Sequence, residues 1–185
     1  MKRAIVLGLL TVLLVIGVGC FGAPQGAISP DTFTTFADWC RHRDSLLQAP
    51  RHTVEELLAV AETQECNRAE EILTNRTNLD LDLRRIVDVA PLANLTNLTG
   101  LSLNGNDIVD INPLASLTNL TKLYLNGNNI MDINPLASLT NLTLLGLSLN
   151  QIADVTPIAS LTNLTLLGLS ANQIANVAPS PASLI

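Results

Sequence analysis

The sequence predicts an α/β solenoid, in which short parallel strands stack into one sheet behind an N-terminal helical cap. Two observations predict it: one motif recurs every 22 residues, and the segment before the repeats differs from them in composition. The motif is Leu-x-Leu-x-x-Asn-x-Ile, although the first copy has Arg84 in place of the Asn. A fixed period of this length is typical of arrays in which each copy is one structural unit. The copies begin at Leu79, Leu101, Leu123, Leu145 and Leu167.

The chemistry of its residues explains one period. The Leu-x-Leu alternation predicts a short strand with one buried face. The Asn carboxamide both donates and accepts, so we expect it to bond the backbone of its own coil and of the next. Pro113 fixes φ and needs no partner for an N–H, so it predicts the start of a helical turn on the return leg. Equivalent prolines stand at Pro91, Pro135 and Pro157.

The period L-T-N-L-T-x-L-x-L-x-x-N-x-I-x-D-I-x-P-L-A-x resembles the 22-residue leucine-rich repeat of the internalin-like class, from residue 79 to about 179. The resemblance implies a right-handed coil with a parallel β-sheet on the concave face, in an exported bacterial protein. A leucine-rich coiled coil is the alternative, but a heptad does not tolerate a proline in every repeat.

Residues 1–22 have the pattern of a signal peptide: a basic start, then an apolar segment too short to span a membrane. The four residues ending at Cys20 are similar to a bacterial lipobox, although Gly17 departs from it. Lipidation of Cys20 and an uncleaved anchor are therefore alternatives to plain export. In each case we expect the repeats outside the cytoplasm, in the periplasm, at the cell surface or in the medium. Residues 23–30 read as a flexible linker.

Residues 31–75 predict a small helical cap that covers the open face of the first coil. Phe33, Phe36 and Trp39 fall on one helical face. A capping-box pattern at Thr53 predicts a second helix over residues 54–64, and a similar pattern at Asn67 predicts a third that runs to about Thr74.

Cys40 and Cys66 both lie in the predicted cap, which favours a disulfide in an exported protein. It would close a loop of about 25 residues and stabilise the fold by roughly 3 kcal/mol. The alternative is a metal site that adds His42 and His52, but the spacing matches no zinc pattern. We therefore expect no metal and two exposed histidines.

Several recurring polar residues of the repeats are interpreted as structural. An Asp recurs at the same position in the first four repeats, as Asp88, Asp110, Asp132 and Asp154. It is expected to accept backbone N–H groups before the proline, rather than to bind calcium, because no second carboxylate accompanies it. The Asn-x-Thr sequons are by-products of the repeat. They stand at Asn75, Asn94, Asn97, Asn119, Asn141 and Asn163.

Residues 76–185 are predicted to form about five repeats, the last one incomplete. In a solenoid the core occupies alternate strand positions, so recognition is expected at the exposed ones. Tyr124, the only tyrosine, is a candidate anchor, and Leu144 with Leu166 would form an apolar patch. The predicted protein-binding residues are Ser102, Asn104, Lys122, Tyr124, Asn126, Leu144 and Leu166.

The composition excludes several classes of function. A net charge of −6 is opposite to the basic surface that nucleic acids require, and membrane contact is expected only through the N-terminus or a lipid on Cys20. The sequence has no catalytic arrangement of side chains, which predicts no enzyme and no cofactor. We therefore expect a protein-interaction module with a protein or peptide ligand. A structural spacer without a specific partner, or an accessory or inhibitor of an enzyme, remain the alternatives.

Overall fold

The computed structural model describes residues 32–174. Three α-helices come first and five three-residue strands follow, with a short 3-10 helix after each of the first four strands. The helices are α1 (Phe36–Arg41), α2 (Gln48–Val60) and α3 (Cys66–Thr74). The strands are β1 (Asn78–Asp80), β2 (Gly100–Ser102), β3 (Lys122–Tyr124), β4 (Leu144–Gly146) and β5 (Leu166–Gly168). The 3-10 helices are Arg43–Ser45, Ala90–Leu92, Asn112–Ser116, Asn134–Ser138 and Thr156–Ser160.

The five strands form one parallel sheet in sequence order, β1 to β5. Each strand residue pairs with the residue 22 positions later, so that Leu79 faces Leu101 and Leu101 faces Leu123. The register is the same for all four pairs of strands. The period of the sequence is therefore the period of the coil, which confirms the predicted solenoid.

The motif Asn residues form a buried ladder beside the sheet. The Nδ2 of Asn128 donates to the carbonyls of Leu103 and Leu125, each at 3.0 Å, and its Oδ1 accepts from the N–H of Ile108 at 3.1 Å. Asn106 and Asn150 repeat this pattern. The Asn was predicted to bond its own coil and the next, but it bonds its own coil and the preceding one. The Asn follows its strand, where it faces backbone groups that the preceding coil leaves open.

The return leg also follows the predicted chemistry. A proline occupies the first turn of each of the four 3-10 helices that follow strands. Before each one, an Asp accepts a backbone N–H two residues later, as between Asp110 and Asn112 at 2.9 Å. Asp88, Asp132 and Asp154 do the same. These contacts confirm the structural interpretation of the recurring Asp.

Four sequon asparagines form a second, exposed ladder. The Nδ2 of Asn119 donates to the carbonyl of Thr96 in the preceding coil at 2.9 Å. Because the amide nitrogen that a glycan would modify is used in holding coils together, the structural interpretation of these sequons is supported. The equivalent contacts are made by Asn97, Asn141 and Asn163.

One hydrophobic core runs from the cap into the repeats. Phe36 and Leu57 of the cap and the inward Leu and Ile columns of the coils belong to the same cluster of buried side chains. Thr53 connects the two parts, since its buried hydroxyl donates to the carbonyl of Asp88 at 2.6 Å. Arg84, which replaces the motif Asn, pairs with Glu56 of α2.

The cap has the three predicted helices, but two of the predicted starts are wrong. The helix α2 begins at Gln48 rather than after Thr53, because Pro50 fits its first turn and Thr53 turns inward to the first coil. The helix α3 begins at Cys66 without a side-chain cap. A capping box that the sequence analysis did not identify opens α1, where Thr35 and Asp38 bond each other's backbone.

Cys40 of α1 and Cys66 of α3 form a disulfide, with their Cα atoms 5.6 Å apart. The thiolates that a metal site needs are therefore absent. His42 and His52 are half-buried rather than exposed, because one ring nitrogen of each contacts a backbone carbonyl. His42 Nδ1 lies 2.8 Å from the carbonyl of Asp38, and His52 Nε2 lies 2.7 Å from that of Arg84. Across residues 32–174, no group of three or more metal-ligating side chains is found.

The predicted signal segment, Cys20, the linker and the end of the last repeat lie outside the described residues. Among the helices that the structure does describe, none is long and apolar enough to cross a membrane.

Candidate interaction surface

The solvent side of the sheet, which we call the strand face, consists of three columns of residues. Parallel pairing aligns the first two columns, and the third follows directly after the strands. The first column is Asn78, Gly100, Lys122, Leu144 and Leu166. The second is Asp80, Ser102, Tyr124, Gly146 and Gly168. The third is Asp82, Asn104, Asn126, Ser148 and Ser170.

The first three coils form a shallow pocket of about 320 Å³ on this face. We call it the polar pocket after its charged side chains, although most of its exposed lining is apolar. Three of its charged residues, Arg76, Asp80 and Lys122, make no ion pair with any residue that the structure describes. Arg76 is held in place by a bond from its Nη2 to the carbonyl of Val60 at 3.0 Å. The pocket is lined by Arg76, Asn78, Leu79, Asp80, Gly100, Leu101, Ser102, Lys122 and Tyr124.

The third column is a ladder of hydrogen bonds, so its polar groups are largely used within the protein. Asp82 accepts from the hydroxyl of Ser102 and from the N–H of Asn104, both at 2.7 Å. Asn104 Oδ1 accepts from the Nδ2 of Asn126 at 2.8 Å and from its N–H at 3.0 Å. The sequence analysis placed Ser102, Asn104 and Asn126 in a binding surface; the structure adds a structural role for each.

The last two described coils form the apolar half of the strand face. Leu166 is 56% exposed and Leu144 is half-buried beside it. Gly146 has no side chain to cover the centre of this half. The Asn126 amide lies against it, since a Cβ at Gly146 would be 2.6 Å from Asn126 Nδ2 and 3.0 Å from its Oδ1. A side chain at this position would therefore displace a rung of the ladder.

Lys122 and Tyr124 lie at the boundary between the polar and apolar halves. Lys122 is exposed and Tyr124 half-buried, and neither side chain takes part in the hydrogen bonds or ion pairs of residues 32–174. The structure therefore brings Lys122, Tyr124 and Ser102 to one pocket, next to Leu144. The sequence analysis did not identify Arg76 as a residue of this surface. Its position, two residues before the first strand residue Asn78, could have indicated it.

Among the described residues, two carboxyl groups have a lowered pKa, and both lie away from the strand face. The hydroxyl of Thr35, followed by backbone N–H groups and Arg41, lowers the pKa of Asp38. The side chain and backbone N–H of Thr156 lower the pKa of Asp154. Both shifts are explained by local capping contacts, so neither indicates a reactive group.

Comparisons with known proteins agree with this geometry. A family model described as leucine-rich repeats (two copies) matches residues 96–138. Internalin C2 of Listeria monocytogenes is 46% identical over 60% of this chain and 49% of that chain, with a TM-score of 0.57. Internalin F of the same organism is 38% identical over 60% and 32%, with a TM-score of 0.57. A search of curated proteins found no match.

The functional domain of InlJ from Listeria monocytogenes, which includes a cysteine ladder, covers more of this chain. It is 25% identical over 80% of this chain and 30% of that chain, with a TM-score of 0.63. The chain thus spans about half of internalin C2 and about a third of the other two.

The fold and its strand face define a leucine-rich-repeat solenoid, a class whose members are generally protein-interaction modules. The repeat length and the solved relatives make the likeness narrower: the repeats and fold of this chain are internalin-like.

Proposed function

We propose that the protein is a non-catalytic recognition module that binds a protein or peptide ligand through the strand face. One observation carries the proposal: the side chains of Lys122 and Tyr124 make no hydrogen bond or ion pair within residues 32–174. They line one pocket, which adjoins the half-buried Leu144 and the exposed Leu166. Aromatic side chains at the centre of a surface are typical anchors of binding.

The two halves of the strand face favour a ligand with two kinds of contact. Leu144 and Leu166 offer apolar area, and the low surface at Gly146 and Gly168 lets a partner side chain approach the sheet. The polar pocket supplies unpaired charges of both signs. A partner that spans both halves would bury Tyr124 fully, where an aromatic ring contributes most.

We further propose that the protein acts outside the cytoplasm, at the cell envelope or secreted. The Cys40–Cys66 disulfide supports an oxidising compartment, and the signal pattern of residues 1–22 supports export. A lipid on Cys20 would restrict the module to a membrane surface, with residues 23–30 as its tether.

A structural spacer is the second candidate, and the third column favours it. Ser102, Asn104 and Asn126 use their polar groups to bond neighbouring coils. A face whose polar groups are used internally has fewer left for a partner. Binding would then rest on Lys122, Tyr124 and the two leucines alone.

The test is to immobilise the protein, pass envelope and culture-medium extracts over it, and identify retained proteins by mass spectrometry. Tyr124→Ala and Leu144→Glu disrupt the strand face. Thr140→Ala, at an exposed side chain outside both surfaces, is the matched control.

A recognition module should retain a protein that both strand-face variants lose and that Thr140→Ala keeps. Equal retention on all four proteins would reject recognition by this face and favour the spacer. Melting temperatures of the variants separate lost binding from lost folding.

A further inference from the structure

A second surface, separate from the strand face, lies where each coil begins its return leg. We call it the return strip; it consists of an apolar column beside an acidic one. Val87, Val109 and Met131 are 46, 54 and 59% exposed. The apolar column is Val87, Val109, Met131 and Ala153, and the acidic column is Asp88, Asp110, Asp132 and Asp154.

Backbone hydrogen bonds hold the coils in register next to this strip. The N–H of Asp107 donates to the carbonyl of Ile86, and the N–H of Asn129 to that of Ile108, both at 2.9 Å. The same bond recurs in the next two coils. Residues of each column therefore stand one coil apart, a spacing of about 4.8 Å if it follows that of paired strands.

No cation balances the acidic column along the array. Lys122 is the only Lys or Arg between residues 86 and 174, and it lies on the strand face. None of the four Asp residues makes an ion pair within the described part of the chain. Each carboxylate accepts one backbone N–H, as Asp132 does with Asn134. Asp110 and Asp132 are exposed and make no further hydrogen bond within residues 32–174.

At its cap end the strip leads into a pocket of about 460 Å³. Val87 is common to both, and Ala49 of α2 adds further apolar surface. Arg85 marks the point where the acidic column gives way to positive charge. The pocket is lined by Gln48, Ala49, His52, Arg85 and Val87. It has room for one large side chain beside the end of the apolar column.

We propose that the return strip binds a basic amphipathic α-helix of a partner protein, laid along the solenoid axis. Helical residues on one face, at i, i+4 and i+7, advance on average by one turn of about 5.4 Å, close to the coil spacing of about 4.8 Å. Apolar residues of the helix meet Val87, Val109 and Met131, and its Lys or Arg residues meet Asp110 and Asp132. The mismatch of about 0.6 Å per turn allows three to four coils to be matched.

Other occupants fit this strip less well. An extended segment places same-side residues about 6.8 Å apart, which loses register after one coil. An anionic lipid surface is repelled by the acidic column. The charge and the spacing together select a cationic helix.

The test uses a fluorescent alanine-based peptide of about 15 residues, with leucines at i, i+4 and i+7 and a lysine beside each. Binding to the full chain is measured by fluorescence anisotropy. One control peptide has the same composition with its leucines distributed around the helix. A second has two central prolines, which prevent the helix.

Three protein variants locate the peptide. Asp110→Asn with Asp132→Asn removes the charges but leaves a side-chain oxygen for the N–H groups of Asn112 and Asn134. Met131→Gln removes the apolar contact, and Tyr124→Ala is the control on the strand face. We expect the double variant to weaken binding about tenfold, Met131→Gln about threefold, and Tyr124→Ala not at all.

Three results would overturn the proposal: equal binding of the distributed peptide, equal binding of the proline peptide, or full affinity in the Asp double variant. Loss of binding in Tyr124→Ala would instead assign the peptide to the strand face. Unchanged melting temperatures are required of every variant. Failure here leaves the proposed function intact, since the two surfaces share no residue.

Discussion

The cap and the repeats solve the same problem, the burial of a small core, by different means. The cap relies on individual contacts: one disulfide, a carboxylate of Glu70 that accepts the N–H of Ala37 at 2.7 Å, and an edge-to-face contact between Phe33 and Trp39. The repeats rely on contacts that recur in every coil, of which the buried Asn ladder is the most extensive. Each cap contact occurs once, whereas each contact of the Asn ladder recurs in the adjacent coils and bonds the same backbone groups as they do.

This difference predicts where each region is vulnerable. Replacing one Asn of the ladder removes hydrogen bonds from backbone groups of two coils at once, because each Asn bonds its own coil and the preceding one. Removing a cap contact affects mainly the two helices that it joins.

The largest effect is expected from Asn128→Ala. The change leaves the N–H of Ile108 buried without its partner. It also removes one of two bonds to each of the carbonyls of Leu103 and Leu125, which keep their bonds from the neighbouring rungs. With about 1 to 3 kcal/mol for the unpaired N–H and about 1 kcal/mol for each lost bond, we expect the free energy of unfolding to fall by about 4 kcal/mol in urea titrations.

Asn134→Ala is the matched control, because that side chain is exposed and takes no part in the ladder. A similar loss in both variants would contradict the role given to the buried rung.

The next effect is expected from replacing both cysteines, Cys40→Ser with Cys66→Ser. The disulfide closes a segment with a sequence separation of 26 residues, and its loss should lower the free energy of unfolding by about 3 kcal/mol. Limited proteolysis should then cut first between α1 and α3. Cleavage that starts in the repeats would show that the cap does not depend on the crosslink.

A smaller effect is expected at the boundary of the two regions from Thr53→Val. Valine keeps the branched shape but cannot donate to the carbonyl of Asp88. One unpaired buried carbonyl should cost about 2 kcal/mol. Thr118→Val, at an exposed side chain away from the first coil, is the comparison. An equal cost there would exclude a bridge at Thr53.

The smallest effect is a gain in stability from Leu149→Gly. Leu149 has φ of 59°, where equivalent coils have Gly105 and Gly127, and its side chain is 63% exposed. Relief of the left-handed backbone should raise the free energy of unfolding by about 1 kcal/mol. Leu149→Ala keeps a Cβ and should show no such gain; equal gains would assign the effect to the lost side chain.

The repeats were largely predictable because the same motif occurs five times in the sequence. The period gives the strands, their register and the columns of the strand face. The role of the Asn was predicted apart from the direction of its bonds, since a pattern read from one chain does not tell which adjacent coil has open backbone groups.

The cap was less predictable because each of its contacts occurs once. The pattern at Thr53 fits a helix start, yet Thr53 donates to a carbonyl 35 residues away, which no local rule includes. The candidate site has the same limit. Lys122 and Tyr124 followed from the columns, but Arg76 precedes the first strand and enters the pocket only because Val60 holds it.

The coil-by-coil arrangement of the strands has a mechanical consequence. Under tension applied between the two ends of the described chain, we expect the hydrogen bonds between coils to break one coil after another and not all together. Each opened coil would lengthen the chain by roughly 75 Å, the span of 22 extended residues. The segment between Cys40 and Cys66 cannot lengthen while its disulfide is closed. Under force the repeats would therefore extend, while the segment between the two cysteines would keep its length.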